Sequence, residues 1–171
     1  LAVGLQAAEH TAVAQGDGDP RRAAAGEAGV HLGIQRLADA LHQLASATRQ
    51  SGDYKSAIPL FQQALALYER NFGPDHSFVA TALTGLGQTL SADGQHQAAM
   101  DALLRAQGIY TKTLGPLHSN TAVSMIALAD ARLAGNDLAG AETGFRTALD
   151  AFARIGDGRH IYAEAARLGL G

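Results

Sequence analysis

The stretch Gly52-Asp53-Tyr54-Lys55-Ser56-Ala57-Ile58-Pro59-Leu60-Phe61-Gln62-Gln63-Ala64-Leu65 decides the fold, because its pattern returns twice at a step of 42 residues. Adding 42 leads from Gly52, Ala57, Phe61 and Ala64 to Gly94, Ala99, Leu103 and Ala106. Adding it again leads to Asn136, Ala141, Phe145 and Ala148. The same step carries Phe72-Gly73-Pro74-Asp75-His76 onto Leu114-Gly115-Pro116-Leu117-His118, and more weakly onto Gly156-Asp157-Gly158-Arg159-His160. It also carries Ala40-Leu41 and Leu44-Ala45 onto Ala82-Leu83 and Leu86-Gly87, then onto Ser124-Met125 and Leu128-Ala129. Three blocks in one register are an internal repeat, and a period of this length signals a solenoid or array.

Each unit reads as two helices. Leu41, Leu44, Ala45 and Thr48 stand at i, i+3, i+4 and i+7, the buried face of a first helix. Ala57, Phe61, Ala64, Leu65 and Tyr68 mark the face of a second. Gly52 and Gly94 sit where a helix C-terminus wants positive φ, and Asn136 is the next best residue there. Asp53 and Asp137 follow as caps of the second helix. That helix stops at Gly73-Pro74 and Gly115-Pro116, since proline cannot continue it. A lone helix pair leaves apolar surface open, so neighbours must stack.

These residues resemble the tetratricopeptide repeat, in the 42-residue form of kinesin light chains and bacterial relatives. Gly52-Asp53-Tyr54, Ala57 to Phe61 with Pro59, Ala64-Leu65 and Gly73-Pro74-Asp75-His76 carry the likeness. The resemblance implies an all-α, right-handed solenoid of antiparallel helix pairs. It covers residues 34 to 160 as three units, 34–75, 76–117 and 118–159. Residues 1–33 read as a degenerate N-terminal repeat or cap: Leu5, Ala8 and Ala12 on one helix, a turn at Gly16-Asp17-Gly18-Asp19, and Pro20 opening a second. Residues 160–171 read as the start of a further helix or a C-terminal cap. A start at Leu1 rather than methionine points to a segment of a longer protein.

Composition agrees and excludes several functions. Of 171 residues, 36 are alanine and 22 leucine, against 11 valine plus isoleucine, which favours helix over sheet. A net charge of -3 leaves no broad basic surface, so neither nucleic acid nor an anionic membrane is an expected partner. No apolar run approaches the roughly 20 residues of a membrane span. With no cysteine, thiol chemistry and cysteine-ligated zinc are excluded. Cytoplasmic residence is the expectation, and the alanine- and glycine-rich composition fits a high-GC bacterial source.

No phosphate-binding loop, nucleophile elbow or metalloprotease helix occurs. His76, His118 and His160 recur with the repeat, which sets them about two helix spacings of 8–10 Å apart. A zinc ion needs its nitrogens within about 2.1 Å, so the three read as organisers of the turns between repeats. Asp17-Gly18-Asp19 opens like a calcium loop but lacks the later acidic ligands. Gly85, Gly87, Gly108 and Gly144 read as points of close helix contact. No catalytic residue, metal or cofactor is expected.

The candidate site is a groove. If 41, 44, 45 and 48 are buried, the stripe at 39, 42, 46 and 49 lines the concave side. It reads Asp39, His42, Ser46, Arg49 in the first unit, Thr81, Thr84, Gln88, Ser91 in the second, and Val123, Ile126, Asp130, Leu133 in the third. Val123, Ile126 and Leu133 would leave an apolar patch in water unless something covers it. In some tetratricopeptide domains that clamp chaperone C-termini, lysine, arginine and asparagine stand on these positions. Here His42, Thr84 and Ile126 replace the lysines, Ser46, Gln88 and Asp130 replace the asparagines, and only Arg49 is basic, so that ligand class is not implied. The reading is a non-catalytic module binding an extended peptide or a helix of a protein partner. The alternative is a structural or regulatory segment that packs on its own protein or self-associates through the open solenoid ends.

Overall fold

The computed structural model describes residues 20–156, and its contacts divide the chain into two units, Leu1–Gly33 and Ile34–Gly171. The helix read at Leu5 to Ala12, the turn at 16–19, His160 and the helix start at 163–170 lie outside the described residues. Six helices and no strand occur among the described residues. They are α1 (Pro20–Gln50), α2 (Tyr54–Phe72), α3 (Ser77–Ala92), α4 (His96–Leu114), α5 (Ser119–Ala134) and α6 (Leu138–Ile155). The 42-residue step governs the bounds: α3 maps onto α5 at both ends, and α2 onto α4. Helix α3 packs on α4 and α5 on α6 as pairs, and α2 on α3 and α4 on α5 join one pair to the next. First helices α3 and α5 also touch directly.

The turns form as the sequence chemistry requires. Gly52 and Gly94 take φ of 85° and 83°, and Asn136, standing in their place, takes 66°. Their conformation lets the following N–H reach back to a carbonyl of the ending helix: Asp53 to Thr48 at 3.2 Å, Gln95 to Leu90 at 2.8 Å, Asp137 to Arg132 at 2.8 Å. The next helix is capped at once, as Asp53 accepts from the Ser56 N–H at 3.1 Å and Asp137 from the Gly140 N–H at 3.0 Å. The Ser56 contacts hold the exposed Asp53 carboxyl below its ordinary range. Pro59 lies on the exposed face of α2, where its missing N–H removes one helical bond without breaking the helix.

Histidine organises the turn between repeats. His76 Nδ1 accepts from the Phe78 N–H at 3.2 Å, and His118 Nδ1 accepts from the Asn120 N–H at 3.1 Å, so both rings cap first helices. His76 also stacks on Phe72 with centroids 4.6 Å apart. No group of histidines and carboxylates that could hold a metal occurs among the described residues.

The core is built from small residues under a few large ones. Ala45, Ala57, Phe61, Leu86, Ala99 and Leu103 share one buried cluster, and Phe145 and Phe152 anchor another with Ile126. Of Gly85, Gly87, Gly108 and Gly144, three are contact points. A Cβ on Gly85 would stand 2.5 Å from the Phe61 ring, one on Gly87 2.6 Å from Leu103, and one on Gly144 2.9 Å from the Ala129 Cβ. Gly108 is the exception: it is exposed, and a Cβ there would meet nothing within 4 Å.

Two features depart from the periodicity. Helix α1 spans 31 residues against 16 for α3 and α5, because no Gly-Pro stop precedes the first clear repeat as it does at 73–74 and 115–116. Leu44, read as buried, is 53% exposed, while Leu86 and Leu128 at the same repeat position are 7% and 4% exposed. The whole stripe behaves alike. Val79, Ala82, Leu86 and Thr89 on α3 are buried, as are Thr121, Ser124, Leu128 and Ala131 on α5. Leu37, Ala40, Leu44 and Ala47 on α1 are exposed. On α3 and α5 this stripe is the face that receives the second helix of the repeat before, and period alone does not show which copies of the stripe are covered.

Candidate ligand groove

The stripe positions lie on the first helices, and each repeat treats them differently. At the outer position, Tyr68 of α2 donates its hydroxyl proton to Asp39 Oδ1 at 2.7 Å. Tyr110 of α4 shares a hydrogen bond with Thr81 at 2.8 Å. In the third repeat the pair becomes Val123 and Phe152, both in the same apolar cluster. Hydroxyl and partner disappear together, which leaves no buried polar atom unmatched. Burial first, then the Asp39 bond and charge, push the Tyr68 phenol well above its ordinary range. Burial also raises Tyr110, against the lowering effect of the Thr81 and Thr84 hydroxyls.

At the next position His42 lies edge-on to Phe61, ring centroids 5.3 Å apart. Its Nδ1 is buried without a hydrogen-bond partner. Burial lowers its pKa, with Asp39 pulling the other way. Thr84 binds back to the Ala80 carbonyl at 2.8 Å. Ile126 is 6% exposed and sits in the cluster of Ala122, Phe145 and Phe152, with Val123 half-buried against it. The expected apolar patch in water is therefore corrected: the second helix of that repeat covers Ile126, and Leu133 alone of the three is exposed, at 43%.

The inner positions converge. Arg49, Gln88, Ser91 and Asp130 line one cleft of about 370 Å³, open to solvent and floored by Ala92, Ala127, Ala131 and Ala134. Three successive first helices supply them: α1, α3 and α5. Alanines keep the floor low enough for the polar side chains to stand above it. Arg49 Nε is buried without a hydrogen-bond partner. Asp130 keeps much of its surface open, yet the flanking helices strip enough water from its carboxyl to push it above its ordinary range. Ser46 is half-buried on α1 and lies outside the cleft lining. The cleft thus joins four of the twelve expected residues. The other eight are distributed along the stripe or, for Ile126, beneath it.

The cleft offers a cation, a carboxylate, an amide and a hydroxyl over an apolar floor, and no nucleophile paired with a base. That arrangement can hold polar groups of a ligand. Sequence reasoning named the lining polar groups by register, but it gave no sign that Arg49 and Asp130, 81 positions apart, face one space.

Stacked helix pairs at this period define an α-solenoid of tetratricopeptide repeats, a fold that generally mediates protein–protein interaction. Residues 36–112 match the tetratricopeptide repeat family model. Among solved structures, the chain is similar to nearly identical TPR-like repeats described as kinesin light chain from Podosopora anserina, at 25% identity and a TM-score of 0.71. That match covers 80% of this chain and 64% of the other. BtubC (BKLC) from P. vanneervenii has the same fold at 18% identity and a TM-score of 0.71, over 78% of this chain and 54% of that one. The chain therefore spans about half to two thirds of these relatives' lengths. No curated protein sequence matches it. No described helix is long and apolar enough to cross a membrane.

Proposed function

We propose that this chain is a non-catalytic interaction module that binds an extended peptide along the concave stripe of its first helices. The cleft where Arg49, Gln88, Ser91 and Asp130 meet carries the proposal. Its polar groups project from three rigid helices, and an extended backbone finds there the amide and hydroxyl partners it needs. Ile126 does not anchor the ligand, since that side chain belongs to the core. Screening a random extended-peptide library against the chain and a Gln88→Trp variant tests the reading. Selected peptides should bind the parent chain and lose at least tenfold in affinity when indole fills the cleft. A library with no binder, or binders indifferent to Gln88→Trp, would overturn it.

A second reading has its own observation. Leu37 and Leu44 are 55% and 53% exposed on the face that α3 and α5 bury. Stacking through that open end makes the chain a structural segment that self-associates. Light scattering after size exclusion separates the readings: self-association requires a mass that rises with concentration and falls back in a Leu37→Gln/Leu44→Gln variant.

A further inference from the structure

The groove reading leaves the chemistry of the ligand open, and the charge layout of the cleft narrows it. The lining residues cluster at the C-terminal ends of their helices: Arg49 one residue before the end of α1, Ser91 and Ala92 closing α3, Asp130 to Ala134 closing α5. A helix C-terminus carries a partial negative charge of about half an electron, felt within its last turn. In α1, Arg49 offsets it. In α3 no basic residue stands in the last turn. In α5 the basic residue is Arg132, but its guanidinium turns away, bonding the Gly140 carbonyl at 3.2 Å and lying 3.8 Å from Asp137. On the α3–α5 side the cleft therefore adds two helix ends and the Asp130 carboxylate, with no protein cation to answer them. The desolvation that pushes Asp130 upward has no compensating hydrogen bond or charge. An acidic ligand is opposed on that side, and a cation is favoured there.

We infer that the cleft selects an extended peptide carrying a lysine or arginine side chain, whose cation sits beside Asp130 at the C-terminal ends of α3 and α5. Gln88 and Ser91 lie alongside to meet the peptide backbone, and Arg49 on the far wall takes an acidic or carbonyl group of the same peptide. Bringing a cation to a carboxylate already partly dehydrated recovers attraction at a reduced desolvation cost, and a charge-assisted hydrogen bond is about twice as strong as a neutral one.

This inference rests on the groove reading, and one titration separates the two. Nine-residue alanine–serine peptides, blocked at both ends, carry lysine, glutamine or glutamate at the centre. Each is titrated into 15N-labelled chain and followed at the Gln88 side-chain amide and the Ser91 N–H. The lysine peptide should bind about tenfold more tightly than the glutamate peptide. Asp130→Asn, isosteric and at an open position, should abolish that preference while Arg49→Gln keeps or strengthens it. Shifts at Gln88 and Ser91 without a lysine preference, or a preference untouched by Asp130→Asn, would overturn the inference and leave the groove standing. Peptides that shift neither residue at millimolar concentration would overturn both.

Discussion

At the residue scale, two glycines of one helical fold have opposite meanings. Gly85 lets α3 approach the Phe61 ring, so an added methyl must push a fully buried aromatic side chain aside. Gly85→Ala should destabilise by about 1–3 kcal/mol, overpacking outweighing the gain in helix propensity. Gly108 meets open space, and Gly108→Ala should stabilise by about 0.5–1 kcal/mol. Urea denaturation of both variants checks the pair, and equal signs would refute the contact reading. His42 offers a pH test. Burial holds its folded pKa below the ordinary 6.5, so the unfolded chain takes up a proton first as pH falls. Its contribution is intact above that value and is lost as pH drops from about 6.5 toward the lower folded pKa. His42→Gln should flatten the melting temperature across this window, which thermal scans at closely spaced pH values would show.

At the scale of the element, the second helix of each repeat is tied to the first by a matched pair that changes character along the chain. Tyr68 with Asp39 and Tyr110 with Thr81 are hydrogen-bonded, whereas Phe152 with Val123 is apolar. Tyr68→Phe alone strands Asp39 and should cost about 1 kcal/mol. Asp39→Val with Tyr68→Phe installs the third repeat's solution in the first and should recover most of that loss. A double-mutant cycle measures the coupling, and strictly additive effects would show that the two positions do not act as a pair. Caps work at the same scale. His76 and His118 supply a ring nitrogen where serine or aspartate more often stands, and a flat ring next to Phe72 stacks as well as accepts.

At the scale of the molecule, one repeat position is exposed on α1 and buried on α3 and α5. Leu86→Ala and Leu128→Ala remove packed side chains and should each cost about 2–4 kcal/mol. Leu44→Ala, at the same place on α1, should change stability by less than about 0.5 kcal/mol in dilute monomer. Chemical denaturation of the three variants measures the difference. A large loss at Leu44 would mean that its face is covered in solution. Neighbouring repeats are also held differently on their outer side. Arg105 bonds Glu69 at 2.6 Å and Lys112 pairs with Asp75, linking α4 to the pair before it. The next step has Thr147 facing Thr111 and Arg154 facing Leu117 at those positions, so the salt links are not repeated.

Much of this was legible in the chain of residues alone. Period, helix pairs, turns and caps follow from local chemistry: which residues accept positive φ, which stop a helix, which leave room for a neighbour. Pattern also placed Gln88, Ser91, Arg49 and Asp130 on one stripe. What period could not carry was context. Leu44 repeats Leu86 in sequence but not in burial, because Leu86 is covered by the helix stacked before it and burial is set by neighbours, not by period. Ile126 repeats His42 and Thr84 but sinks into the core, because Phe145 and Phe152 close over it. The meeting of Arg49 and Asp130 across three helices, and the loss of water that pushes the Asp130 carboxyl upward, arise only when the solenoid closes the distance between positions far apart in the chain.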